Sequence, residues 1–331
     1  MKKVDLSHEG RLGETATDRP TVSVGLPVYN GETYLRLLLD SVLAQTFGEF
    51  ELIISDNAST DSTEAICREY AAADARIRYH RQPRNRGVTW NFRQVALLSS
   101  GKYFLWTSHD DILAPNYVER CVEVLDRDPS VVLCYSNSIH LDEAGNQSEP
   151  EHRLEFDQPS PHQRFRRLIG LSHNCTPLYG LIRLDVLKKT SIQDDFADGD
   201  RCMLVELGLY GSYHRIQEPL FYHREHAGRF THQYPSRQER TRLANPDRNL
   251  RFVFPFFRVL KEYTRAVYRA PLSWAERFRC YLYLLNWVRK NALLLGSDLT
   301  SALGELTRSR SRPRLAKTLD PNAAGPDTLS R

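Results

Sequence analysis

Several polar side chains in this sequence have the types and the spacing to do chemistry. Asp110 and Asp111 form an acidic pair directly after His109. Carboxylates are ligands that Mg²⁺ and Mn²⁺ take in proteins, and a cation held there would act as a Lewis acid. The pair also precedes a predicted helix, where acids interact favourably with the helix dipole, so a purely structural role is the alternative. Two more polar clusters, Pro27–Glu32 and Asp56–Asp61, follow predicted strands.

The elements that would position these clusters alternate between strands and helices. Apolar and β-branched runs predict buried strands, at 21–26, 50–55, 76–79, 102–107 and 131–135. Helical spacing of apolar residues, with a loop of capping residues before the second helix, predicts helices, at 33–45, about 62–73, 89–98 and 115–126. The last of these would begin with Pro115 at the favoured first position.

The alternation predicts an α/β fold with a doubly wound, mostly parallel sheet flanked by helices. Such sheets bind ligands at the carboxyl ends of their strands, and the three polar clusters all fall at that rim. The first βα turn, Pro27–Glu32, has no G-x-G-x-x-G, and the chain has no P-loop motif. The sequence therefore disfavours a dinucleotide-binding Rossmann domain and a P-loop nucleotidase.

Composition and charge narrow the class of protein. The net charge of the 331 residues is +4, which does not indicate nucleic-acid binding. The six cysteines lack any C-x-x-C pair, so we expect buried free thiols in a reducing compartment. The N-terminus has no apolar signal core, and no apolar run approaches the roughly 20 residues of a membrane span. We expect a cytoplasmic protein, free or peripheral on the inner face of the membrane.

Four segments closely resemble the family 2 glycosyltransferases. They are VSVGLPVYN at 22–30, SVLAQTF at 41–47, FELIISDNASTD at 50–61 and HDD at 109–111. The resemblance covers roughly residues 21 to 228. It implies a GT-A fold and transfer of a sugar from a nucleotide sugar to an acceptor hydroxyl, with inversion. Synthesis of a cell-surface polysaccharide or glycolipid is the setting that the family implies.

The resemblance also assigns donor-binding residues. Pro27 and Tyr29 would line the base and ribose, and Asp56 would hydrogen-bond the base, which favours a UDP- or dTDP-linked sugar. Asp56 could instead cap a helix. Arg84 would approach the donor phosphates, unless it lies in a plain solvated loop. The remaining expected contacts of the nucleotide sugar are Asn30, Glu32 and His109.

The metal and catalytic residues follow in the same way. Ser108–Asp111 matches the D-x-D region, with Ser108 in place of the first acid. Asp110 would be the direct ligand of Mn²⁺ or Mg²⁺, Asp111 an outer or water-mediated one, and His226 a late contributor with His223 as its rival.

Asp200, at the beginning of a predicted helix, would be the general base. Gly199 stands where the family has Glu, so Asp198 could stand in for that acid. Capping of the helix is the alternative role of Asp200.

The predicted domains are a flexible N-terminus (1–20), a catalytic domain (21–230, with a nucleotide-sugar half at 21–136 and an acceptor half at 137–230), an amphipathic helical extension (231–307) and a disordered basic tail (308–331). Residues 138–160 are predicted to be a polar excursion over the site. Two C-terminal helices are predicted, the second with one apolar face, made of Trp274, Phe278, Tyr281, Leu285, Val288, Ala292 and Leu295. They would pack on the domain, or residues 249–296 would meet anionic lipid that presents a lipid-linked acceptor.

Two other functions remain open. A nucleotidyltransferase would share a related sheet, but it needs a basic, Gly-rich loop after the first strand, and Pro27–Glu32 contains no Lys or Arg. A non-catalytic member that binds a nucleotide or glycan is the third possibility, because Ser108 and Gly199 depart from the family pattern.

Overall fold

A computed structural model of the chain describes residues 19–148, 155–170, 175–193, 195–244 and 252–310. Its strands are β1 Val22–Val28, β2 Phe50–Asp56, β3 Ile77–Arg81, β4 Tyr103–Trp106, β5 Ile112–Leu113, β6 Val131–Leu141, β7 Leu181–Arg183 and β8 Ser212–Arg224. Its helices are α1 Leu35–Leu43, α2 Thr63–Ala73, α3 Val88–Leu98, α4 Tyr117–Arg127, α5 Pro161–Gly170, α6 Leu184–Leu187, α7 Gly199–Tyr210, α8 Phe230–Gln233, α9 Arg237–Ala244, α10 Pro255–Arg269, α11 Trp274–Lys290 and α12 Ala292–Arg310. A 3-10 turn occupies Thr176–Tyr179.

The strands within the described ranges form one sheet in the order β3-β2-β1-β4-β7-β6-β8-β5. The first four strands in this order are parallel, as βα units require. β7 lies antiparallel between β4 and β6, and β6 runs parallel to β8. The predicted doubly wound sheet is confirmed, and its carboxyl edge collects the ends of β1, β2 and β4.

The sheet is buried on both faces, which explains its nearly continuous apolar strands. Alternate residues of β4 pack into two cores on opposite faces of the sheet. Phe104 and Trp106 pack with α3, α5 and α7 on one face. Tyr103 and Leu105 pack with α1, α2 and α4 on the other face. These two cores fix the edge on which the polar turns stand.

Two predicted boundaries are wrong. Pro115 does not begin a helix, since α4 starts at Tyr117 after Asn116. β6 does not stop at residue 135 but continues to Leu141, so the polar excursion predicted from 138 begins later. The reason is that buried polar residues of β6 find partners on β8: the Asn137 side-chain amide donates to the carbonyl of Gln217 at 2.6 Å.

The C-terminal helices also differ from the prediction. Over the described residues 252–310, three helices stand in place of the two predicted, because the second ends before Asn291, whose side-chain amide donates to the carbonyl of Trp287. The predicted apolar face of α11 is largely solvent-exposed, with Trp274 84% exposed. α11 is apolar around most of its circumference, and it buries Cys280 and Leu284 instead.

Some expectations fall outside the described residues. The N-terminal segment is described only from Arg19, and the basic tail only as far as Arg310, the last residue of α12. Asn249, the first residue of the segment expected to meet lipid (249–296), is also outside. The domain boundaries therefore stay predictions. Among the helices described, none is long and apolar enough to cross a bilayer.

Candidate active site

Hydrogen bonds from the turn after β2 fix the conformation of the turn after β1. Asn30 has a left-handed backbone (φ 51°) that Asn tolerates better than most residues. Its N–H donates to the Ser59 hydroxyl at 3.0 Å, and its side-chain oxygen accepts from the Thr60 N–H at 2.8 Å. Tyr29, beside it, is 44% exposed, whereas Pro27 is buried within β1. The turn thus presents one aromatic ring to solvent on a rigid base.

Glu32 and Gly31 also connect the turn after β1 to the turn after β2. A Glu32 carboxylate oxygen accepts from the Ser62 N–H at 2.9 Å, so this side chain points toward the second turn. The Gly31 N–H donates to the Thr63 hydroxyl at 2.8 Å. A Cβ on Gly31 would lie 2.8 Å from the His109 ring, which shows that the third polar cluster closes against the first.

Asp56 lies at the end of β2 and is fully buried. One oxygen accepts from the Ser59 N–H at 2.8 Å. The other accepts from the Tyr79 hydroxyl at 2.7 Å and from the Arg81 guanidinium at 2.6 Å. These bonds are internal to the protein, so Asp56 holds the Ser59 turn and Arg81 in place.

The loop before α3 carries Arg84, which is exposed. Asn57 fixes this loop, because its side chain donates to the Asn85 side-chain oxygen at 2.9 Å and accepts from the Arg86 N–H at 2.9 Å. On α3, Asn91 donates to the carbonyl of Ser55 at 2.8 Å. Asn91 therefore ties the helix to the end of β2, at the strand edge beside the turns.

Asp110 and His226 meet on the other side of this edge. His226 Nε2 lies 3.0 Å from Asp110 Oδ2, and the Ser108 hydroxyl donates to the other oxygen of Asp110. Burial disfavours the ionised form of Asp110, but the hydrogen bond from His226 and the charge of His109 outweigh it and lower the pKa of Asp110 below its usual range. Asp110 is therefore anionic at neutral pH.

Asp111 faces a different histidine. Its Oδ1 lies 2.9 Å from His223 Nδ1 and accepts from the Arg224 N–H at 3.2 Å. Its Oδ2 is buried and has no hydrogen-bond partner among the described residues. Burial raises the pKa of Asp111, and the neighbouring Asp110 charge adds to the rise against the opposing effect of His223. Asp111 and His223 thus form a second acid–histidine pair, next to that of Asp110 and His226.

The side chains available as metal ligands determine which cation this site could bind. Within the described ranges, no three His, Cys, Asp or Glu side chains converge on one point. Asp110 and His226 bring one carboxylate and one imidazole together. The Asp110 carboxylate is the kind of ligand that Mg²⁺ takes, since this cation is usually held by one or two carboxylates, several waters and the oxygens of bound phosphates. The predicted set of Asp110, Asp111 and His226 is divided in this structure, with Asp111 turned to His223.

Asp200 lies in the first turn of α7, after Asp198 at the N-cap position. One of its oxygens accepts from the Arg201 N–H at 2.7 Å. Asp198 makes no side-chain capping bond and instead pairs with Arg237 at 3.2 Å. Burial raises the pKa of Asp200, and the Asp198 charge adds to the rise while the Arg201 N–H opposes it. A raised pKa suits a carboxylate that takes up a proton.

Comparison with known proteins decides the family. Residues 23–190, half of the chain, match glycosyl transferase family 2. The chain belongs to this family. The acidic edge of the sheet is therefore the place to look for the chemistry of this family.

Relatives of this family 2 glycosyltransferase share part of their length with it. An uncharacterized glycosyltransferase of Rickettsia typhi is 32% identical over 190 residues, which are 54% of this chain and 55% of the relative. Chondroitin synthase of Escherichia coli is 33% identical over 127 residues, 38% of this chain and 18% of the synthase. The chain thus spans about half of the Rickettsia protein and a smaller share of the synthase.

The fold is shared with a solved structure. Residues 1–349 of Staphylococcus aureus TarS, in complex with UDP-GlcNAc, superpose with a TM-score of 0.60 at 15% identity, covering 86% of this chain and 81% of that one. The GT-A-type fold expected from the resemblance is confirmed.

Tyr179 lies beside the acidic pair and was not among the residues predicted from the sequence. Burial raises the pKa of Tyr179, and the charges of Asp111, Asp110 and Asp200 raise it further. Its ring stacks on Phe221 with the centroids 5.4 Å apart. Its ring also lies 6.3 Å from the ring of His223, which pairs with Asp111, so Tyr179 borders the acidic pair. An aromatic residue directly before a strand is typical of the core, so Tyr179 itself was not predicted to line the site.

Proposed function

We propose that this enzyme transfers a sugar from a nucleoside-diphosphate sugar to an acceptor hydroxyl, with inversion at the anomeric carbon. The observation that carries the proposal is the Asp110–His226 pair, 3.0 Å apart, at the strand edge where the turn after β1 closes against His109. An anionic site for a diphosphate-bound cation and a carboxylate with a raised pKa are the two groups that the reaction needs. Family membership favours glycosyl transfer over nucleotidyl transfer.

The donor binds at the carboxyl edge of β1 and β2 in this proposal. Tyr29 covers one face of the base, and Pro27 underlies it. Asp56 positions the Ser59 turn and Arg81 beside the base, while Arg84 meets the phosphates. Asn30, Glu32 and His109 keep the turns together around the sugar nucleotide. TarS has been solved with UDP-GlcNAc, which supports a uracil nucleotide as the first donor to test.

Asp110 and His226 would hold a divalent cation, which would supply Lewis-acid neutralisation of the departing diphosphate. Asp111 pairs with His223 and accepts the Arg224 N–H, which orients the strand end that carries His226. Outer partners of this kind tune the residues that contact a metal. The Ser108 hydroxyl donates to one oxygen of Asp110, and Ser108 stands where the family has a second acid.

Asp200 is the general base. It removes the proton from the acceptor hydroxyl while that oxygen bonds to the anomeric carbon, and the bond from this carbon to the diphosphate oxygen breaks. The proton ends on Asp200 and the electron pair on the nucleoside diphosphate. The raised pKa of Asp200 brings its proton affinity closer to neutral pH, where a general base works best.

We further propose that the exposed apolar side of α11 and α12 contacts a membrane surface on which a lipid-linked or polymeric cell-surface acceptor is presented. Trp274, at the beginning of α11, is 84% exposed, and Leu293, at the beginning of α12, is 90% exposed. Arg279 and Lys290 stand along α11, and cations beside exposed aromatic residues are typical of helices that lie in an anionic interface.

Calorimetry of the chain against UDP, dTDP, GDP and CDP, each with and without Mn²⁺, tests the proposal. Metal-dependent binding of UDP or dTDP is expected, together with slow release of free sugar from the matching nucleotide sugar. Binding of none of the four by the folded protein would overturn the donor assignment. Such a result would favour a non-catalytic member of the family.

A further inference from the structure

A cavity of about 420 Å³ lies where the catalytic region meets the C-terminal helices. Four of its lining residues are cations from four helices, namely Arg166 of α5, Arg201 of α7, Arg237 of α9 and Lys290 of α11. Asp198 is the one carboxylate among the described lining residues. The cavity is therefore strongly electropositive.

The single carboxylate does not neutralise this charge. Asp198 pairs with Arg237 at 3.2 Å and lies 3.7 Å from Arg201, so it serves two cations at once. Arg166 lies over the ring of Tyr283 with its guanidinium 5.3 Å from the ring centre, and it stays exposed at the cavity mouth. Lys290 is exposed as well. A ligand that carries negative charge would gain from all four cations.

Aromatic rings make up much of the remaining wall. Tyr283 and Trp287 lie one turn apart on α11, and Trp287 packs edge-on against Tyr263 with the centroids 5.7 Å apart. Flat rings with a few convergent polar groups are the usual lining of a site for a small organic ligand. Rings of this kind suit the C–H face of a sugar, while the cations suit an attached phosphate or carboxylate.

The cavity adjoins the proposed base. Arg201 lines it and donates its backbone N–H to Asp200 at 2.7 Å, and Asp198 lies at the N-cap of the same helix. We propose that this cavity is the acceptor subsite and that it selects an anionic saccharide, with α11 providing part of its wall. The proposal rests on the proposed function in one respect, because Asp200 is its reference point.

Binding can be measured without turnover, so the subsite and the glycosyl transfer can fail separately. Glucose 1-phosphate, glucuronic acid and glucose are titrated into the chain with excess UDP and Mn²⁺ present to fill the donor site. We expect the two anions to bind and glucose to bind at least about tenfold more weakly. In Lys290→Glu the dissociation constant for the anions should rise about tenfold, with UDP affinity unchanged.

Lys261→Glu is the matched control, because Lys261 is an exposed lysine of α10 outside the cavity lining. It should change anion binding less than about twofold. Equal binding of glucose and glucose 1-phosphate, or equal effects of the two lysine variants, would overturn the subsite. Absence of UDP binding with intact, Lys290-dependent anion binding would refute the donor assignment and leave the subsite standing.

A further experiment distinguishes a lipid phosphate from a soluble glycan as the source of the anion. Phosphatidylglycerol vesicles that displace glucose 1-phosphate from the wild-type chain, but have no effect on residual binding in Lys290→Glu, would indicate a lipid phosphate at the cavity. Vesicles that leave glucose 1-phosphate bound would indicate a soluble glycan. Both results support the anionic subsite and differ only in what delivers its ligand.

Discussion

His226 Nε2 lies 3.0 Å from Oδ2 of Asp110, although 116 residues separate the two along the chain. The same strand end brings His223 to Asp111, so two adjacent acids meet two histidines three positions apart. The two pairs are not equivalent. The pKa of Asp110 is lowered and that of Asp111 is raised, which makes Asp110 the anion that can face a cation.

Asp110→Asn should weaken Mn²⁺-dependent UDP binding by about 10- to 100-fold, because the neutral amide replaces the carboxylate that faces the diphosphate. Calorimetry with and without Mn²⁺ measures the effect. Asp111→Asn is the matched control: the same chemical change at the next residue should cost less than about threefold, since Asp111 is turned to His223. Equal losses in both variants would contradict the division of roles.

Asp200→Asn should lower the rate of sugar transfer by about 10²- to 10⁴-fold, because the amide cannot take up the proton of the acceptor hydroxyl. UDP affinity should be unchanged, since Asp200 lies on α7 and its described hydrogen bond is to the Arg201 N–H rather than to the β1 and β2 turns. Initial rates and calorimetry measure the two quantities. Asp185→Asn, at an exposed acid on α6, should alter neither. Retention of most of the activity by Asp200→Asn would place the base elsewhere.

The pH profile gives a test of the environment of Asp200. Its pKa is raised, so the protein keeps the proton on this carboxyl to a higher pH than a free carboxyl would. Transfer therefore requires pH above this raised pKa and is lost as pH falls through it. Asp198→Asn should shift the acid limb of kcat/KM to lower pH, because the Asp198 charge is one cause of the rise. An unchanged acid limb would exclude this electrostatic coupling.

Gly31→Ala should weaken UDP binding and lower stability by about 1–3 kcal/mol, because its Cβ would lie 2.8 Å from the His109 ring. The neighbouring turns must then shift, which disturbs the rigid base under Tyr29. Thermal unfolding and UDP titration report both effects. Gly48→Ala supplies the control, since nothing lies within 4 Å of a Cβ there. A neutral Gly31→Ala would mean that the turns tolerate displacement.

Arg269→Met should destabilise the chain by about 3 kcal/mol, because it removes a partner from the buried carboxylate of Glu206. The guanidinium of Arg269 donates to both oxygens of Glu206, at 2.8 and 2.7 Å, and so links α10 to α7. Denaturant unfolding measures the change. Combining the variant with Glu206→Gln should recover much of the loss, because no buried charge is then left unpaired. An additive loss would argue against that explanation.

The sheet and its polar edge were predictable because their signals are local. The run 22–28 is β-branched and apolar, Asn30–Gly31 is a turn signal, and helical spacing follows directly. The polar clusters had to fall at one edge because strands β1, β2 and β4 are parallel. Contacts between turns, such as that of Asn30 with Thr60, then follow from the fold rather than from any single segment.

The partners of the site residues were less predictable, because they depend on packing between distant segments. Asp56 could be recognised as important, but its bonds to Tyr79 and Arg81 depend on the pairing of β2 with β3. The face of α11 predicted from periodicity is largely exposed rather than packed on the domain, since apolar residues surround the helix and periodicity could not choose among them.

The parallel pairing of β6 with β8 has a consequence for how the chain acquires its site. β8 supplies the partners of Asp111, and His223 follows that acid by 112 residues. During synthesis, all three polar turns leave the ribosome long before β8 exists, so a nascent chain ending before residue 223 holds Asp111 without its histidine. Closing so long a loop is slow. The donor turns can therefore fold early, while the acidic pair is completed only as the last strand of the sheet docks.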